Sequence, residues 1–220
     1  MILELRYFFN KLFIAVKLHL IVLSLSLFCL EACQGNNSSI HNFKGSIMGT
    51  NYKISISEPL IRTDHSKLFL TLDFVNQEMS TYIPSSLLSK LNSLPVGIWL
   101  EVSNEFIRVV DYSQKLCFLS EGAFDVSVGN IVNAWGFGPK EESINPLAEI
   151  KKNIYEIGCD SIEVDKTNNK VRRKRDVYID LSGVAKGFAI DYLAESLEKL
   201  LIENYLIELG GEIRAKGLKK

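Results

Sequence analysis

The spacing of hydrophobic residues changes along this chain from every second residue to every third or fourth. This change restricts the possible folds more than any other feature of the sequence. From Asn51 to Ser57 apolar residues alternate with polar ones, which is typical of a half-buried strand. After Asp64 the apolar positions recur at every third or fourth residue, which predicts an amphipathic helix. The apolar face of that helix is predicted at Leu68, Leu72, Val75 and Met79.

The other predicted elements follow without strict alternation of strand and helix. Helices are predicted from Ser85 to Asn92, Ser103 to Gly122, Pro146 to Ile157 and Ser182 to Glu203. Strands are predicted at Ser161–Val164, Val177–Leu181, Tyr205–Leu209 and Glu212–Ala215, the first two paired through a turn at Asn168 and Asn169. Doubly wound α/β folds need regular alternation, so the sequence predicts an α+β fold, a mixed sheet with packed helices.

The N-terminus has the order of an export signal. Basic residues precede an apolar run from Leu18 to Leu30, and the small residue Ala32 comes just before Cys33. The run alone is short for a membrane-spanning helix, although an uncleaved signal anchor starting near Phe8 remains an alternative. The segment ending at Cys33 resembles a bacterial lipobox, with Glu31 in place of the usual small or apolar residue, which predicts lipidation of Cys33.

Three segments are therefore predicted. Residues 1–32 form a signal peptide of the lipoprotein type. Residues 33–42 form a flexible tether, because the stretch after Cys33 is polar and rich in Gly, Asn and Ser. Residues 43–220 form the folded domain. We expect this domain outside a bacterial cytoplasmic (inner) membrane, on its periplasmic or extracytoplasmic side, held there by the lipid anchor.

Charge argues against one class of partner. The net charge is −1, so the sequence predicts no nucleic-acid partner. The one concentrated basic stretch is Arg172–Arg175. It favours a solvated rim beside the predicted hairpin turn, and steering of a phosphate group is the alternative.

Two cysteines remain once Cys29 leaves with the signal and Cys33 carries lipid. Cys117 and Cys159 lack the spacing of metal ligands. Because Cys117 falls on an apolar helical stripe, a buried free thiol is favoured. A disulfide in an oxidising compartment stays open as the alternative.

The strongest local constellation is Asp180–Gly187. An apolar strand ends at Asp180, and a helix begins at Ser182, whose side chain is suited to capping it. The free amides and dipole of a helix start favour an anion such as phosphate, and Lys186 adds positive charge. The Walker A pattern is absent, and an ordinary capped helix packed on a sheet fits the same residues.

Two weaker signals concern a carboxylate and three aromatic residues. Asp125 lies in a glycine-flanked apolar segment, where a charge needs partners, so it is either a turn residue or a ligand-binding carboxylate. Tyr82, Trp135 and Phe137 are suited to forming a wall for a planar ring, although residues of this kind more often belong to a core.

Several short motifs occur together and in a fixed order. They are Met48-Gly49-Thr50, Ser80-Thr81-Tyr82 with Ser89–Asn92, Gly122–Gly129, Trp135–Gly138, Asp180–Gly187 with Asp191, and Leu209-Gly210-Gly211 with Gly217. This series resembles the signature blocks of the FAD:protein FMN transferases, the ApbE family. The resemblance extends from about Phe43 to the C-terminus.

The resemblance implies a T-fold-like flavin transferase domain and an enzymatic activity. Members of the family bind FAD with Mg²⁺, release AMP, and join FMN through a phosphoester to a threonine of a target flavoprotein subunit at the membrane. By matching position, the FAD contacts are Met48, Tyr82, Ala123, Phe124, Asp125, Asp180 and Lys186. Gly183 matches a position that holds the metal, which for glycine means its main-chain carbonyl.

The chain departs from the family pattern at its C-terminal end. Family members continue with a Thr-Ser-Gly block and a His-x-x-Asp-Pro block near further metal ligands, whereas this sequence stops at Lys220. We therefore expect a C-terminally truncated product with no identified catalytic residue of its own and an exposed sheet edge beside Tyr205–Leu209. Alternatives are a catalytically impaired flavin- or nucleotide-binding lipoprotein and an unrelated structural lipoprotein.

Overall fold

A computed structural model describes Lys17 and residues 39–58, 63–139 and 144–218. The chain divides into two compact units, 1–39 and 40–220. The predicted signal peptide, apart from Lys17, and the predicted lipidation site Cys33 lie outside the described residues. Residues 33–38 of the predicted tether also lie outside them. Within the described ranges, no helix combines the length and the apolar character that crossing a membrane requires.

The described residues form strands and helices in the mixture expected of an α+β fold, which confirms the predicted class. The strands are β1 (Ser39–Ile47), β2 (Thr50–Glu58), β3 (Leu100–Glu101), β4 (Ile162–Asp165), β5 (Lys170–Arg173), β6 (Tyr205–Leu209) and β7 (Glu212–Lys216). The helices are α1 (His65–Met79), α2 (Leu87–Ser93), α3 (Asn104–Leu119), α4 (Gly129–Ala134), α5 (Pro146–Asn153) and α6 (Ser182–Lys199). Because β1 begins at Ser39, the last part of the predicted tether, 39–42, is strand.

The larger sheet has the strand order β1-β2-β6-β7. Strands β2 and β6 are antiparallel, with Tyr52 opposite Leu209 and Ile56 opposite Tyr205. Strand β7 pairs with the other side of β6. The expected exposed edge beside Tyr205–Leu209 is therefore wrong: β6 is an interior strand with a partner on each side.

The core lies between this sheet and helices α1 and α6. Alternation along β2 and β6 turns one set of side chains inward, and Ile54 and Ile207 are completely buried. The predicted apolar face of α1, from Leu68 to Met79, is buried as well. Small residues on α6, such as Ala189 and Ala194, allow the helix to pack closely on the sheet.

The smaller sheet has the order β3-β5-β4 and corrects the predicted hairpin. Strand β4 turns back through Asn169, which has a positive φ of 50°, and pairs with β5 instead of Val177–Leu181. A tight turn pairs the residues that directly follow it with those that precede it. The residues after this turn are charged, and for that reason the sequence did not predict β5 as a strand. The Val177–Leu181 segment instead lies beside Val126–Gly129, with a parallel bridge between Tyr178 and Val128.

The basic stretch is not simply a solvated rim. Arg173 is only 7% exposed; its guanidinium donates to the carbonyl of Val177 at 2.7 Å and to that of Leu94. Burial lowers the pKa of Arg173. Arg172 stacks over Trp99 at 4.4 Å. These structural contacts account for both side chains, so neither supports the phosphate-steering alternative.

Cys117 and Cys159 form a disulfide, so the favoured free thiol is wrong. The bond joins the last turn of α3 to the loop before β4, with the two Cα atoms 5.5 Å apart. Helical periodicity placed Cys117 on the inner side correctly. It carried no information about Cys159, whose approach depends on how the distant chain segments pack.

Gly129 and Gly187 provide a matched pair of Gly→Ala tests. A Cβ at Gly129 would overlap the Tyr178 carbonyl oxygen and lie 2.8 Å from a carbon of its ring. Gly129→Ala should therefore lower the free energy of unfolding by about 2 kcal/mol. At Gly187, inside α6, a Cβ meets nothing within 4 Å, so Gly187→Ala should raise it by about 0.5–1 kcal/mol. Urea unfolding of both variants checks this, and shifts of the same sign would contradict it.

Candidate functional site

A cleft of about 570 Å³ opens at one end of the larger sheet. Its walls come from the β1–β2 turn, from the end of α1 with the residues that follow, and from the first turns of α6. The lining residues are Met48, Gly49, Asn76, Met79, Ser80, Thr81, Tyr82, Ile83, Ser182, Ala185 and Lys186. A volume of this size suits a small organic ligand. The structure thus brings together three of the predicted contacts, namely Met48, Tyr82 and Lys186.

The turn between β1 and β2 forms one wall. Met48 and Gly49 have φ values of 52° and 71°, as in a two-residue hairpin turn that matches the twist of its strands. A positive φ is uncommon for methionine. The Gly210-Gly211 turn lies at the same sheet end, because the Gly210 amide donates to the carbonyl of Asn51 at 3.1 Å. Gly210 and Gly211 both have positive φ values and form the turn between β6 and β7.

The start of α6 forms the opposite wall, although its cap differs from the prediction. Leu181 occupies the N-cap position without a side-chain cap, and Ser182 is the first helical residue. Asp180 binds the helix start in place of Ser182, because its carboxylate accepts a hydrogen bond from the Ser182 amide at 2.7 Å. The positive end of an 18-residue helix therefore faces the cleft, where its dipole favours an anion.

Lys186 adds a cationic side chain to this wall. Its Nζ lies 3.3 Å from Oε1 of Glu212, and its side chain is 31% exposed. An anion in the cleft would compete with Glu212 for this ammonium group. Glu212 was missed by the sequence reasoning, because its position directly after a glycine turn gives no chemical signal. Asn76 and Met79 were missed as cleft residues, since the helical pattern assigns Met79 to the core.

The segment from Val177 to Leu181 carries Asp180 to the helix start. The Asp180 amide donates to the Val126 carbonyl at 2.8 Å, and the Gly129 amide donates to the Tyr178 carbonyl at 2.9 Å. Burial raises the pKa of the Tyr178 hydroxyl. These bonds fix one side of the segment to the Gly122–Gly129 loop.

The aromatic residues near the cleft are not core. Tyr82, Trp135 and Phe137 are 62%, 46% and 77% exposed, so the favoured core interpretation is wrong. The Tyr82 hydroxyl donates to the carbonyl of Phe137 at 2.7 Å. This bond ties the loop after α4 to the Tyr82 wall of the cleft. Of the three, only Tyr82 lines the cleft itself.

The predicted contacts Ala123, Phe124 and Asp125 lie beside the helix start and do not line the cleft. A Cβ at Gly183 would lie 3.2 Å from the ring of Phe124, and Ala123 is exposed. Asp125 accepts hydrogen bonds from the amide and hydroxyl of Ser127 at 2.8 and 2.7 Å, so it is a turn residue here. Contact of these three residues with FAD stays a prediction.

A second cleft of about 500 Å³ lies on the other side of the α6 start. Its lining includes Gly183, Gly187, Arg108, Phe188 and Asp191. Gly183 therefore faces this second cleft, away from Lys186. The first turns of α6 separate the two openings.

The described residues by themselves do not make a Mg²⁺ site. Among them, one group of His, Cys, Asp and Glu side chains is close enough to share a metal: Cys117, Asp125 and Cys159. Its two sulfurs are joined in the disulfide and are not free to act as thiolate ligands. Mg²⁺ prefers carboxylate and phosphate oxygens, and Gly183 offers only its main-chain carbonyl.

Comparison with known proteins gives consistent results. A sequence model described as the ApbE family matches residues 48–220. The "FAD:protein FMN transferase" of Haemophilus influenzae is 38% identical over 86% of this chain and 57% of its own length. The protein of that name from Vibrio cholerae is 36% identical over 89% of this chain and 60% of its own length.

Solved structures agree with the sequence relatives. The "Flavin Transferase ApbE" of Vibrio cholerae superimposes with a TM-score of 0.75 at 34% identity, covering 83% of this chain and 60% of that one. The ApbE protein of Thermotoga maritima superimposes with a TM-score of 0.70 at 26% identity, covering 82% and 60%. The chain thus spans 52–62% of the length of the curated relatives it matches.

Proposed function

The chain belongs to the ApbE family, and from this we propose that it is a flavin transferase with FAD as its substrate. The observation that carries the proposal is the cleft between the Met48 turn, Tyr82 and the positive start of α6. A dinucleotide offers two negatively charged phosphates to the start of α6, where the N-cap residue Leu181 makes no side-chain cap and the Asp180 carboxylate accepts from the Ser182 amide. Lys186 would leave Glu212 and neutralise part of that charge.

The proposed reaction moves the FMN half of FAD to a threonine hydroxyl. A bond forms between the threonine oxygen and the FMN phosphorus, and the bond from that phosphorus to the oxygen shared with the adenosine phosphate breaks. AMP leaves with that oxygen, and the hydroxyl proton is released. In this scheme the α6 start and Lys186 hold the phosphates in line and stabilise the charge that develops on them.

Mg²⁺ dependence is a further proposal. Mg²⁺ keeps few protein ligands and binds substrate phosphates, so we propose that it enters together with FAD. At these phosphates it would neutralise charge during transfer. Gly183, the matched metal position, lines the second cleft, so ligands beside these phosphates would have to come from the substrate or from outside the described residues.

The proposed partner is a threonine-containing flavoprotein subunit at a membrane. Support comes from the sequence before residue 39, where a basic segment, an apolar run and Cys33 follow in the order of a lipoprotein signal. A lipid on Cys33 would hold the folded unit outside the cytoplasmic membrane, close to such a subunit.

FAD titration and a transfer assay test the proposal together. The chain should bind FAD saturably and, with Mg²⁺ and a threonine peptide of a target flavoprotein, release AMP and make the peptide fluorescent. An alanine-for-threonine peptide, which lacks the accepting hydroxyl, serves as the matched control. Binding without AMP release would favour a flavin-binding protein without transferase activity. No binding at high micromolar FAD would contradict both functions.

A further inference from the structure

Helix α2 does not line the cleft, yet it is hydrogen-bonded to Ser80 in one wall and to Ile179, three residues before Ser182 in the other wall. Leu88 and Leu91 are buried in the core and anchor one side of α2. The other side presents Ser86, which caps the helix in place of the predicted Ser85, followed by Ser89 and Asn92. Residues spaced by three lie on one helix face, so these three polar side chains form a row.

Two members of the row hold the wall that carries Tyr82. The Ser86 hydroxyl donates to the Ser80 carbonyl at 2.5 Å and accepts from the Ser89 amide at 2.9 Å. The Ser89 hydroxyl reaches the carbonyls of Ser80 and Thr81 at 3.3 and 3.5 Å. Ser86 is fully buried, so these bonds fix the main chain where α1 ends.

The third member holds the wall that carries Asp180. Asn92 accepts from the Ile179 amide and donates to the Ile179 carbonyl, both at 2.8 Å. In extended chain, the N–H and C=O of one residue point to the same side and those of its neighbours point to the other. Asp180 and Tyr178 are bonded to the Gly122–Gly129 loop on that other side. The Asn92 amide therefore takes the place of a neighbouring strand for Ile179.

We propose that Ser86, Ser89 and Asn92 set the separation of the two cleft walls and that Asn92 is a positioning residue for the start of α6. This inference rests on the proposed FAD site. Ile179 is completely buried, so water does not readily replace the Asn92 amide. Loss of the amide frees the segment that leads into Asp180, whose carboxylate holds the first amide of α6. The distance between the start of α6 and Tyr82 is then no longer fixed.

The test compares Asn92→Ala with Ser93→Ala, a control on the same helix whose hydroxyl is exposed and bonds only to the carbonyl of Lys90. Asn92→Ala should weaken FAD binding at least tenfold and speed hydrogen exchange at the amides of Ile179 and Ser182. Ser93→Ala should change neither. Ser89→Ala, whose bonds are longer, should weaken FAD binding about threefold and serves if Asn92→Ala does not fold.

The outcomes separate this inference from the proposed function. Faster exchange at Ile179 with unchanged FAD affinity in both Asn92→Ala and Ser89→Ala would overturn it, because the row would then be structural only. Unchanged exchange at Ile179 in Asn92→Ala would overturn it as well. If the unaltered chain fails to bind FAD, the proposed function fails, while the exchange data still report whether Asn92 holds the segment.

Discussion

Replacing both Cys117 and Cys159 with serine should lower the free energy of unfolding by about 4 kcal/mol. The disulfide joins residues 42 apart in sequence. Breaking it gives the unfolded chain the conformational freedom that a closed loop of this length removes. Cys117 is buried and Cys159 is half-buried, and serine at these positions forms no bond that replaces the cross-link. Urea unfolding followed by circular dichroism, with and without a reducing agent, measures the difference.

Reduction supplies the internal control for this experiment. The unaltered protein in reducing agent should unfold near the midpoint of the double variant, and the double variant itself should not respond to the reagent. An unaltered protein whose midpoint is the same in both conditions would contradict the prediction. Local loosening should appear at Gly158, whose amide donates to the Ser127 hydroxyl at 3.1 Å next to the cross-link.

Helices and strands with a clear period were predictable from the sequence. The α1 pattern opened by Asp64 is a local property, and Asp64 does cap the helix, accepting a hydrogen bond from the Lys67 amide. Their ends were less predictable. The last predicted helix was extended to Glu203, but α6 stops at Lys199, and Leu201 adopts a φ of 60°. The similar apolar residues beyond Lys199 carry no signal that distinguishes helix from the turn.

Strand pairing and the candidate site depend on contacts that no local pattern contains. The sequence of strand β5 resembles a charged loop, because Arg173 carries a charge into the interior, where it donates to the nearby carbonyl of Val177 and to the distant carbonyl of Leu94. The cleft joins Met48, Tyr82 and Lys186, which come from three segments far apart in sequence and meet through tertiary packing. Motif order predicted these three residues and also included Asn92, but the bonds of Asn92 to Ile179, 87 positions away, could not be predicted from either motif or period.

Lys186→Met should lower the rate of FMN transfer about 100-fold and weaken FAD binding, because it removes the one lysine that lines the cleft among the described residues. Methionine keeps the length of the apolar part of the lysine side chain, so the packing of α6 changes little. The positive charge beside the phosphates is lost. Glu212 also loses its partner at 3.3 Å. AMP release and FAD titration, each at saturating Mg²⁺, give the two effects separately.

Lys199→Met is the matched control, because it makes the same chemical change on the exposed last turn of the same helix. It should leave FAD affinity and AMP release unchanged. Equal losses in the two variants would point to a general effect on α6 rather than to a charge at the cleft. Full affinity and full transfer in Lys186→Met would contradict the placement of the phosphates at the start of α6. The lysine that lines the cleft there would then contribute nothing to binding or to transfer.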